Sequence, residues 1–232
     1  MTEMPAYRYA ITDIHGCAKT FRTLIRDVIK LQLEDVLFLL GDYVDRGPDS
    51  KGVLDFIFDL QDQGFQVHCL KGNHEEMMLQ SLTHEAQYMN WLKHGGRETL
   101  KSFGVHEIQE VPAPYFEFIR KLPHYEQMDD YILVHAGLNF RIGDPLSDPT
   151  SMLWIRPWDV DVDHQWLNGR IILHGHTPVD QQIIEYQLEN AETNSLIDLD
   201  NGCFRTEDAG KGQLCAFNLD TRELFFQANL DI

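Results

Sequence analysis

Cysteine is scarce in this sequence of 232 residues, and no two cysteines lie close together. The four residues are Cys17, Cys69, Cys203 and Cys215, and none of them forms a CxxC arrangement. This spacing does not indicate a disulfide framework, so we expect reduced thiols, and it argues against a zinc site built from cysteine. Cys69 and Cys215 lie in apolar runs, which predicts small buried side chains at both positions.

Positive charge is scarce as well. The chain has 19 lysines and arginines against 37 aspartates and glutamates, which gives a formal net charge of −18. Because nucleic acids and anionic membranes are bound through basic faces, the sequence predicts neither partner. An anionic substrate is still compatible with this charge, since metal ions can reverse the potential at one site.

Long apolar runs are also missing from the sequence. The longest are far too short to cross a bilayer, and Met1 to Tyr7 has no signal-peptide character, so we expect a cytoplasmic protein. With 43% hydrophobic and 24% charged residues the composition is that of a globular protein. No repeat, linker or low-complexity segment divides the sequence, and we expect a single domain over residues 1–232.

The first part of the chain alternates between strand and helix patterns. Apolar runs at residues 7–11, 36–40 and 65–70 predict strands, and amphipathic patterns at 21–31 and 53–60 predict the helices between them. This β-α-β-α-β order predicts parallel strands with right-handed crossovers. The carboxyl ends of the three strands then lie along one edge of a sheet.

The rest of the chain changes character twice. Residues 75–122 are predicted to be mostly helical, with glycine and proline breaks, and to cover the site. Short strand patterns then recur at residues 132–134, 170–173, 183–186, 195–199, 214–219 and 224–226. We therefore expect an α/β (α+β) fold in which two packed mixed β-sheets are flanked by helices.

Polar motifs follow the apolar runs at five points. They are Asp13-x-His15-Gly16, Gly41-Asp42-x-x-Asp45-Arg46-Gly47, Gly72-Asn73-His74-Glu75, His135-Ala136-Gly137 and Gly175-His176-Thr177. Each alone has an ordinary interpretation, such as a structural histidine, a turn asparagine or an acidic solvated loop. Together they bring aspartate, histidine and asparagine to one sheet edge, a ligand set that suits Mn²⁺, Fe or Zn²⁺. The absence of cysteine fits a catalytic site better than a closed structural zinc site.

The ordered series of motifs resembles the calcineurin-like metallophosphoesterases. Residues 41–47 and 72–75, which read Gly-Asp-Tyr-Val-Asp-Arg-Gly and Gly-Asn-His-Glu, are similar to the PPP-type serine/threonine protein phosphatases of the short bacterial and phage kind. The motifs that carry the resemblance run from Asp13 to His176. The resemblance implies a four-layer αββα sandwich that binds two divalent metal ions, with Mn²⁺ expected and Fe or Zn²⁺ as alternatives.

The resemblance also implies a role for each motif residue. Metal ligands would be Asp13 and His15 on one ion, Asp42 on both, and Asn73, His135 and His176 on the second. His74 would protonate the leaving oxygen and Asp45 would orient it, while Arg46 would hold phosphate. The nucleophile would be a hydroxide that bridges the two metals and attacks phosphorus in line.

Three further features each have two interpretations. Arg156 lies in a Trp-x-Arg segment that provides a second phosphate-binding arginine in the phage-type enzymes. Its alternative is a surface arginine stacked on Trp154 or Trp158. His174 is assigned to the surroundings of the ligands or to substrate contact. The polar loop at residues 205–212 is expected either at the rim of the site or as a hairpin elaboration without function.

Three functions are compatible with these residues. The first is a phosphomonoesterase acting on phosphoserine or phosphothreonine in proteins, which the Asp45-Arg46 pair and Glu75 favour. The alternative is a symmetric dinucleoside polyphosphate hydrolase acting on substrates such as diadenosine tetraphosphate, whose members commonly have aspartate at the position of Glu75. A third possibility is a non-catalytic binding module, but such modules lack metal ligands or the acid histidine, and both are present here.

Overall fold

Two β-sheets lie face to face in this protein, as described by a computed structural model for residues 6–232. Nine strands form within these residues. They are β1 (Arg8–Ile11), β2 (Val36–Leu39), β3 (Gln66–Cys69), β4 (Tyr125–Gln127), β5 (Tyr131–Val134), β6 (Ile171–His174), β7 (Leu196–Asp198), β8 (Gln213–Asn218) and β9 (Leu224–Ala228). The signal-peptide prediction for Met1 to Tyr7 falls mainly on residues 1–5, which lie outside the described part of the chain.

The five-stranded sheet has the order β3-β2-β1-β8-β9. β1 pairs in parallel with β2, and β2 with β3, which confirms the predicted β-α-β-α-β unit. β8 and β9 extend this sheet as an antiparallel pair. The four-stranded sheet has the order β4-β5-β6-β7, in which β5, β6 and β7 are parallel and β4 is antiparallel.

Helices flank the two sheets. Those before residue 122 are α1 (Ala18–Thr23) with its π-helical extension (Leu24–Val28), α2 (Ser50–Asp62), α3 (Asn73–Gln80), α4 (Glu85–Trp91), a π-helical turn (Leu92–Gly96), α5 (Arg97–Phe103) and α6 (Ala113–Lys121). Later ones are α7 (Pro149–Trp154), α8 (His164–Leu167), α9 (Gln181–Glu189) and α10 (Ala191–Asn194). Short 3₁₀ turns lie at Ile108–Glu110, Pro145–Ser147 and Asp159–Asp161.

Alternation along the strands sorts their side chains into three apolar layers. In β1, Ala10 lies in the core between the sheets, whereas Tyr9 and Ile11 pack against the helices of the first half. In β5, Leu133 lies between the sheets, and Ile132 packs on the side of α7 and α8. Successive strand residues point to opposite faces, so each sheet has two apolar faces to cover. The four-layer sandwich follows from this pattern.

One predicted strand was wrong. Residues 183–186 belong to α9, where Ile184 is fully buried while Ile183 is 44% and Tyr186 60% exposed. The buried face continues at Leu188, four residues after Ile184, which is helical spacing. A pair of adjacent isoleucines favours a strand when taken alone, but only one of the two finds a place in the core.

The predicted helical segment after residue 75 is confirmed and contains the breaks that its glycines and prolines indicate. Gly95 has a φ of 114° inside the π-helical turn between α4 and α5. Gly104, in the left-handed conformation, ends α5, and Pro112 precedes α6. No helix within residues 6–232 is both long and apolar enough to cross a bilayer.

The core between the sheets should contribute strongly to stability. Phe217 of β8 is fully buried there and contacts the ring of Tyr131 edge-on, with centroids 6.1 Å apart. We expect Phe217→Ala to lower the free energy of unfolding by about 3–5 kcal/mol, because it removes buried area and leaves a cavity. Urea denaturation measures this change. Tyr186→Ala, at an exposed aromatic position, should stay within about 0.5 kcal/mol of the parent, and equal losses in both variants would contradict the assignment of this core.

Candidate metal centre and active site

The polar motifs meet because each follows a strand at its carboxyl end. They do not share one sheet edge as predicted, since the first three motifs follow strands of the five-stranded sheet and His135 and His176 follow β5 and β6 of the four-stranded sheet. Backbone hydrogen bonds join the loops that carry them. The amide of His15 donates to the carbonyl of Asp42 at 2.8 Å, and the amide of Gly175 donates to the carbonyl of His135 at 2.9 Å. The loops of both sheets are therefore fixed to their neighbours, as expected for a site at the carboxyl ends of parallel strands.

Unusual backbone conformations concentrate in these loops. Left-handed φ angles occur at Asp13, His15, Asp42, Asp45, Arg46 and His176. Each costs roughly 1–2 kcal/mol for an L-residue, so the surrounding bonds must hold these turns in place. Such strain is characteristic of functional sites, where it is retained because of the side-chain directions that it provides.

Asp42 lies between two groups of possible metal ligands. Its Oδ2 is 3.4 Å from His15 Nε2, and its Oδ1 is 3.4 Å from His135 Nε2. His176 completes the second group with Asp42 and His135, and all three residues are buried. One carboxylate with an oxygen directed to each side is the geometry that a bridging ligand requires.

The tautomers of the histidines leave their lone pairs directed into this site. Nδ1 of His15 donates to the carbonyl of Val44 at 2.9 Å, and Nδ1 of His135 donates to the carbonyl of Leu40 at 3.0 Å. Burial lowers the pKa of both imidazoles, which are therefore neutral and carry no proton on Nε2. Metal-binding histidines are usually oriented by such a bond from their other ring nitrogen.

Acceptor atoms without hydrogen-bond donors converge at the same place. Asn73 Oδ1 is 2.9 Å from His135 Nε2, so two lone pairs face each other. Asp13 Oδ1 and His15 Nε2 are buried and have no hydrogen-bond partner among the described residues, and His176 Nδ1 lies 3.1 Å from His135 Nε2. Burying such groups without a partner costs about 1–3 kcal/mol each. The donor set fits divalent cations, because a cation between these atoms would satisfy them together.

The six predicted ligands are thus brought to one site, and His74 lies beside them. His74 differs from Asp13 in whether its polar side-chain atoms have hydrogen-bond partners. Both ring nitrogens of His74 have partners, at 2.7 Å to Asp45 Oδ2 and 3.0 Å to Arg46 Nη2. Asp13 Oδ1, by contrast, is free and lies 3.8 Å from His15 Nε2.

The bonds of His74 define its protonation. An arginine nitrogen can only donate, so Nε2 of His74 accepts from Arg46 and the ring proton lies on Nδ1, where it is donated to Asp45. Burial raises the pKa of Asp45 to about 8. Its carboxylate nevertheless receives hydrogens from His74, Trp91 and Thr99, which is the arrangement of an ionised acceptor. Asp45 therefore fixes the ring of His74.

Trp91 and Thr99 are functional candidates that the sequence did not reveal. Trp91 Nε1 lies 3.0 Å from both oxygens of Asp45, and Thr99 Oγ1 lies 2.7 Å from Oδ1. Both belong to the helical segment after α3, where their spacing is that of any packed helix. The glycine at position 95 is the sequence signal for this close packing, because a Cβ there would lie 2.4 Å from the backbone nitrogen of Arg46. This segment approaches the active-site loop too closely for a side chain.

Arg156 lies next to the second group of ligands. Its Nε donates to Thr177 Oγ1 at 2.6 Å, and its Nη2 donates to the carbonyl of His176 at 3.0 Å. Arg156 is exposed, as the alternative interpretation of a surface arginine requires, but within residues 6–232 no cation–π contact joins it to Trp154 or Trp158. Partial desolvation of its guanidinium lowers the pKa of Arg156, and the nearby charge of Arg46 lowers it further.

His174 lies behind the ligands. Its ring is buried, packs edge-on against Trp158 with centroids 5.0 Å apart, and has Asp198 Oδ2 at 4.0 Å from Nδ1. Burial lowers the pKa of His174 to about 4, which keeps the ring neutral. These contacts fit the surroundings of the ligands, the first of its two predicted assignments.

Glu75 makes contacts that bear on the substrate prediction. Its carboxylate is fully buried and accepts backbone hydrogen bonds from Asp42, Tyr43, Val44 and Gly72 at 2.8, 2.8, 3.3 and 2.9 Å. All of its polar contacts are therefore with the chain itself. A side chain in this position supports the two loops and has no surface for a substrate, so the choice between glutamate and aspartate here is weak evidence about substrate class.

Residues 9–203 match the family described as calcineurin-like phosphoesterase. The chain is also 33% identical over 134 residues to a symmetrical bis(5'-nucleosyl)-tetraphosphatase of Pseudomonas fluorescens (strain Pf0-1). That alignment covers 56% of this chain and 41% of the relative. The chain therefore spans less than half the length of this curated relative.

Solved structures resemble the chain over most of its length. One belongs to a protein provisionally assigned as a diadenosine tetraphosphatase, with a TM-score of 0.64, 18% identity and coverage of 97% of this chain and 95% of that one. Another is a protein serine/threonine phosphatase from Saccharomyces cerevisiae, with a TM-score of 0.65, 16% identity and coverage of 96% and 79%. At these identities the likeness shows the fold alone.

The contact between Trp91 and Asp45 can be tested by removing one hydrogen-bond donor. Trp91→Phe keeps an aromatic ring but takes the indole N–H away from the buried carboxylate. We expect kcat for an aryl phosphate to fall about tenfold, because a hydrogen bond to a buried charged group contributes on the order of 1.5–3 kcal/mol. Metal content should stay at the parent level. Trp166→Phe, at a half-buried tryptophan outside this network, is the control, and equal activities in the two variants would argue against a role for Trp91.

Proposed function

The chain belongs to the calcineurin-like phosphoesterase family, and from this premise we propose that it is a metal-dependent hydrolase that cleaves dinucleoside polyphosphates symmetrically. The observation that carries the proposed chemistry is the convergence of six ligand side chains with His74 and two arginines at the carboxyl ends of strands from both sheets. The substrate is proposed from the sequence relatives, whose names describe them as symmetrical tetraphosphatases.

Two divalent cations would be held by the buried donor atoms. Asp13 and His15 would bind the first, Asn73, His135 and His176 the second, and Asp42 both. Such ions supply charge neutralisation for a phosphate and lower the pKa of water toward neutrality when bound. Mn²⁺ is the proposed metal, with Fe and Zn²⁺ as alternatives, since imidazole and carboxylate ligands suit all three.

The remaining residues would act on the phosphate and on the leaving oxygen. Arg46 lies next to His74 and Arg156 lies next to His176, and both would bind phosphate oxygens. His74 would protonate the leaving oxygen through Nε2. Because Arg46 donates to that atom in the free protein, its guanidinium has to move to the substrate before Nε2 can carry a proton. Asp45 would stabilise the charged ring.

The phosphoprotein substrate is a second candidate. It is favoured by residues 41–47, whose sequence is similar to that of the protein phosphatases throughout. Glu75 no longer supports this substrate, because its carboxylate is bound entirely to backbone amides. Relatives at 33% identity then favour the dinucleoside polyphosphate.

Metal removal tests the hydrolase itself. Protein treated with a chelator should lose its activity on an aryl phosphate, because the lone pairs of the ligand cluster would have no cation to bind the substrate or activate water. Adding Mn²⁺ should restore that activity. Failure of Mn²⁺, Fe²⁺, Zn²⁺, Co²⁺ and Ni²⁺ alike would contradict the assignment.

His74→Asn separates the acid from the ligands. This variant should keep the parent metal content by elemental analysis, since both nitrogens of His74 already have protein partners, while its kcat should fall by about 10²–10⁴. His135→Asn is the matched variant and should lose metal together with activity. Loss of metal in His74→Asn would make His74 a ligand instead.

A substrate comparison under one metal condition decides between the two candidates. Diadenosine tetraphosphate should be cleaved to two molecules of ADP with a higher kcat/KM than a phosphoserine or phosphotyrosine peptide. Chromatography of the nucleotides distinguishes ADP from the ATP and AMP of asymmetric cleavage. A phosphopeptide turned over with the higher kcat/KM would reverse the order of the candidates.

A further inference from the structure

A cleft of about 590 Å³ opens next to the proposed active site and has a local excess of positive charge. Four cationic side chains line it, namely Arg46, Lys93, Arg97 and Arg205. Glu98 is its single acidic residue. In a chain with 19 basic and 37 acidic residues, this local balance is the reverse of the overall one. We call this region the basic cleft.

Two of these cations are available to a ligand. Lys93 and Arg97 are exposed, and neither forms a salt bridge with any residue in the range 6–232. Arg205 pairs with Asp208 at 2.9 Å, so the loop that bears it already uses part of its charge. An anion bound in the cleft would therefore meet Lys93 and Arg97 without displacing a protein partner.

The basic cleft is continuous with the proposed site through Arg46 and Phe204. Arg46 lines the cleft and also donates to His74 Nε2. The ring of Phe204 lies against the guanidinium of Arg46 at 4.5 Å and that of Arg205 at 5.4 Å, and it contacts the ring of His15 with centroids 5.1 Å apart. A phosphate chain with its reacting phosphorus near His15 and His74 could pass directly into this cleft.

The wall of the basic cleft is held rigidly against the active-site loop. Lys93 belongs to the π-helical turn and Arg97 begins α5, and Gly95 lies between them against the backbone of Arg46. Trp91 and Thr99, on either side of this stretch, are bound to Asp45. The cations thus sit on a packed helical segment, which reduces the entropy lost when a ligand is bound.

A second cavity adjoins the first and has a different character. It measures about 420 Å³, shares Leu92 and Arg97 with the basic cleft, and is otherwise lined by groups that include Tyr88, Leu100 and Val105. An aromatic ring and aliphatic side chains next to cations suit a flat heteroaromatic group joined to phosphates. We call this cavity the Tyr88 pocket.

We propose that the basic cleft binds the phosphates of the departing nucleoside diphosphate and that the Tyr88 pocket binds its base. This rests on the proposed function and assigns one half of the substrate to a place. The departing half is the one concerned, because the cleft begins at Arg46, the contact of the proposed acid His74. The cleft then makes a long polyphosphate a better substrate than a small ester, although both react at the same metals.

Truncation of the two free cations tests the basic cleft. In Lys93→Ala and in Arg97→Ala, kcat/KM for diadenosine tetraphosphate should fall about tenfold, because each loses a charge-assisted contact to phosphate. For an aryl phosphate, kcat/KM should fall by no more than about twofold, which is at least fivefold less than for diadenosine tetraphosphate. Lys121→Ala, on α6 in a cavity that shares no residue with the cleft, is the control for overall charge. Equal losses on both substrates, or losses no larger than the control, would overturn the inference.

A product-binding measurement keeps this inference separate from the proposed function. ADP should inhibit aryl phosphate hydrolysis by the parent protein at a fixed concentration of free Mn²⁺, and its inhibition constant should rise about tenfold in Lys93→Ala and Arg97→Ala. That result would stand even if diadenosine tetraphosphate were not hydrolysed, in which case only the proposed substrate fails. An inhibition constant unchanged in both variants would overturn the cleft while leaving the substrate assignment intact.

The Tyr88 pocket has a test of its own. Tyr88→Leu keeps apolar bulk and removes the aromatic ring, so the inhibition constant of ADP should rise by about fivefold, in keeping with the loss of base stacking. Inorganic tripolyphosphate, which has no base, should inhibit this variant as it inhibits the parent. If the inhibition constants of ADP and tripolyphosphate rose equally, the assignment of the base to the Tyr88 pocket would be wrong.

Discussion

The rest of the proposed site depends on the backbone hydrogen bonds that the carboxylate of Glu75 accepts. This carboxylate gathers backbone amides of residues 42–44, after β2, and of Gly72, after β3. Asp42 and Asn73 are carried on these two loops, so one buried side chain sets the distance between ligands from neighbouring strands. Burial raises the pKa of Glu75 to about 7, whereas the four amide donors favour its charged form, and hydrogen bonds to a carboxylate are stronger than neutral ones. The left-handed turn at Asp42 is held by the same bonds.

Buried negative charge is the second constraint. Asp13, Asp42 and Asp45 are all less than about 2% exposed, and no lysine or arginine forms a salt bridge with any of them among the described residues. Burial raises the pKa of Asp42, and the neighbouring charge of Asp13 raises it further. Divalent cations bound beside these carboxylates would favour their charged forms and so offset the cost of burying them. Metal binding is therefore expected to stabilise the folded protein as well as to serve chemistry.

How far the sequence predicts the site depends on what positions each residue. The six proposed ligands lie together because all follow strand ends, and strand ends are readable from apolar runs. Trp91 and Thr99 reach Asp45 through helix packing, which leaves no motif. The strand predicted at residues 183–186 failed because tertiary burial selected one isoleucine of two. Phe204 enters the site through a loop whose course no periodic pattern describes.

The substrate question shows the same division. Motif residues such as Asp42 and His74 are tied to strand ends and to one another, so they report the chemistry that a site performs. Lys93, Arg97 and Tyr88 lie on the helical segment after α3 and touch this machinery through Gly95 and Trp91. Such surface residues can change without disturbing the ligands. A chain can therefore have motifs typical of one substrate class while its relatives act on another class. The helical segment after α3 is where the physical reason for this difference has to be sought.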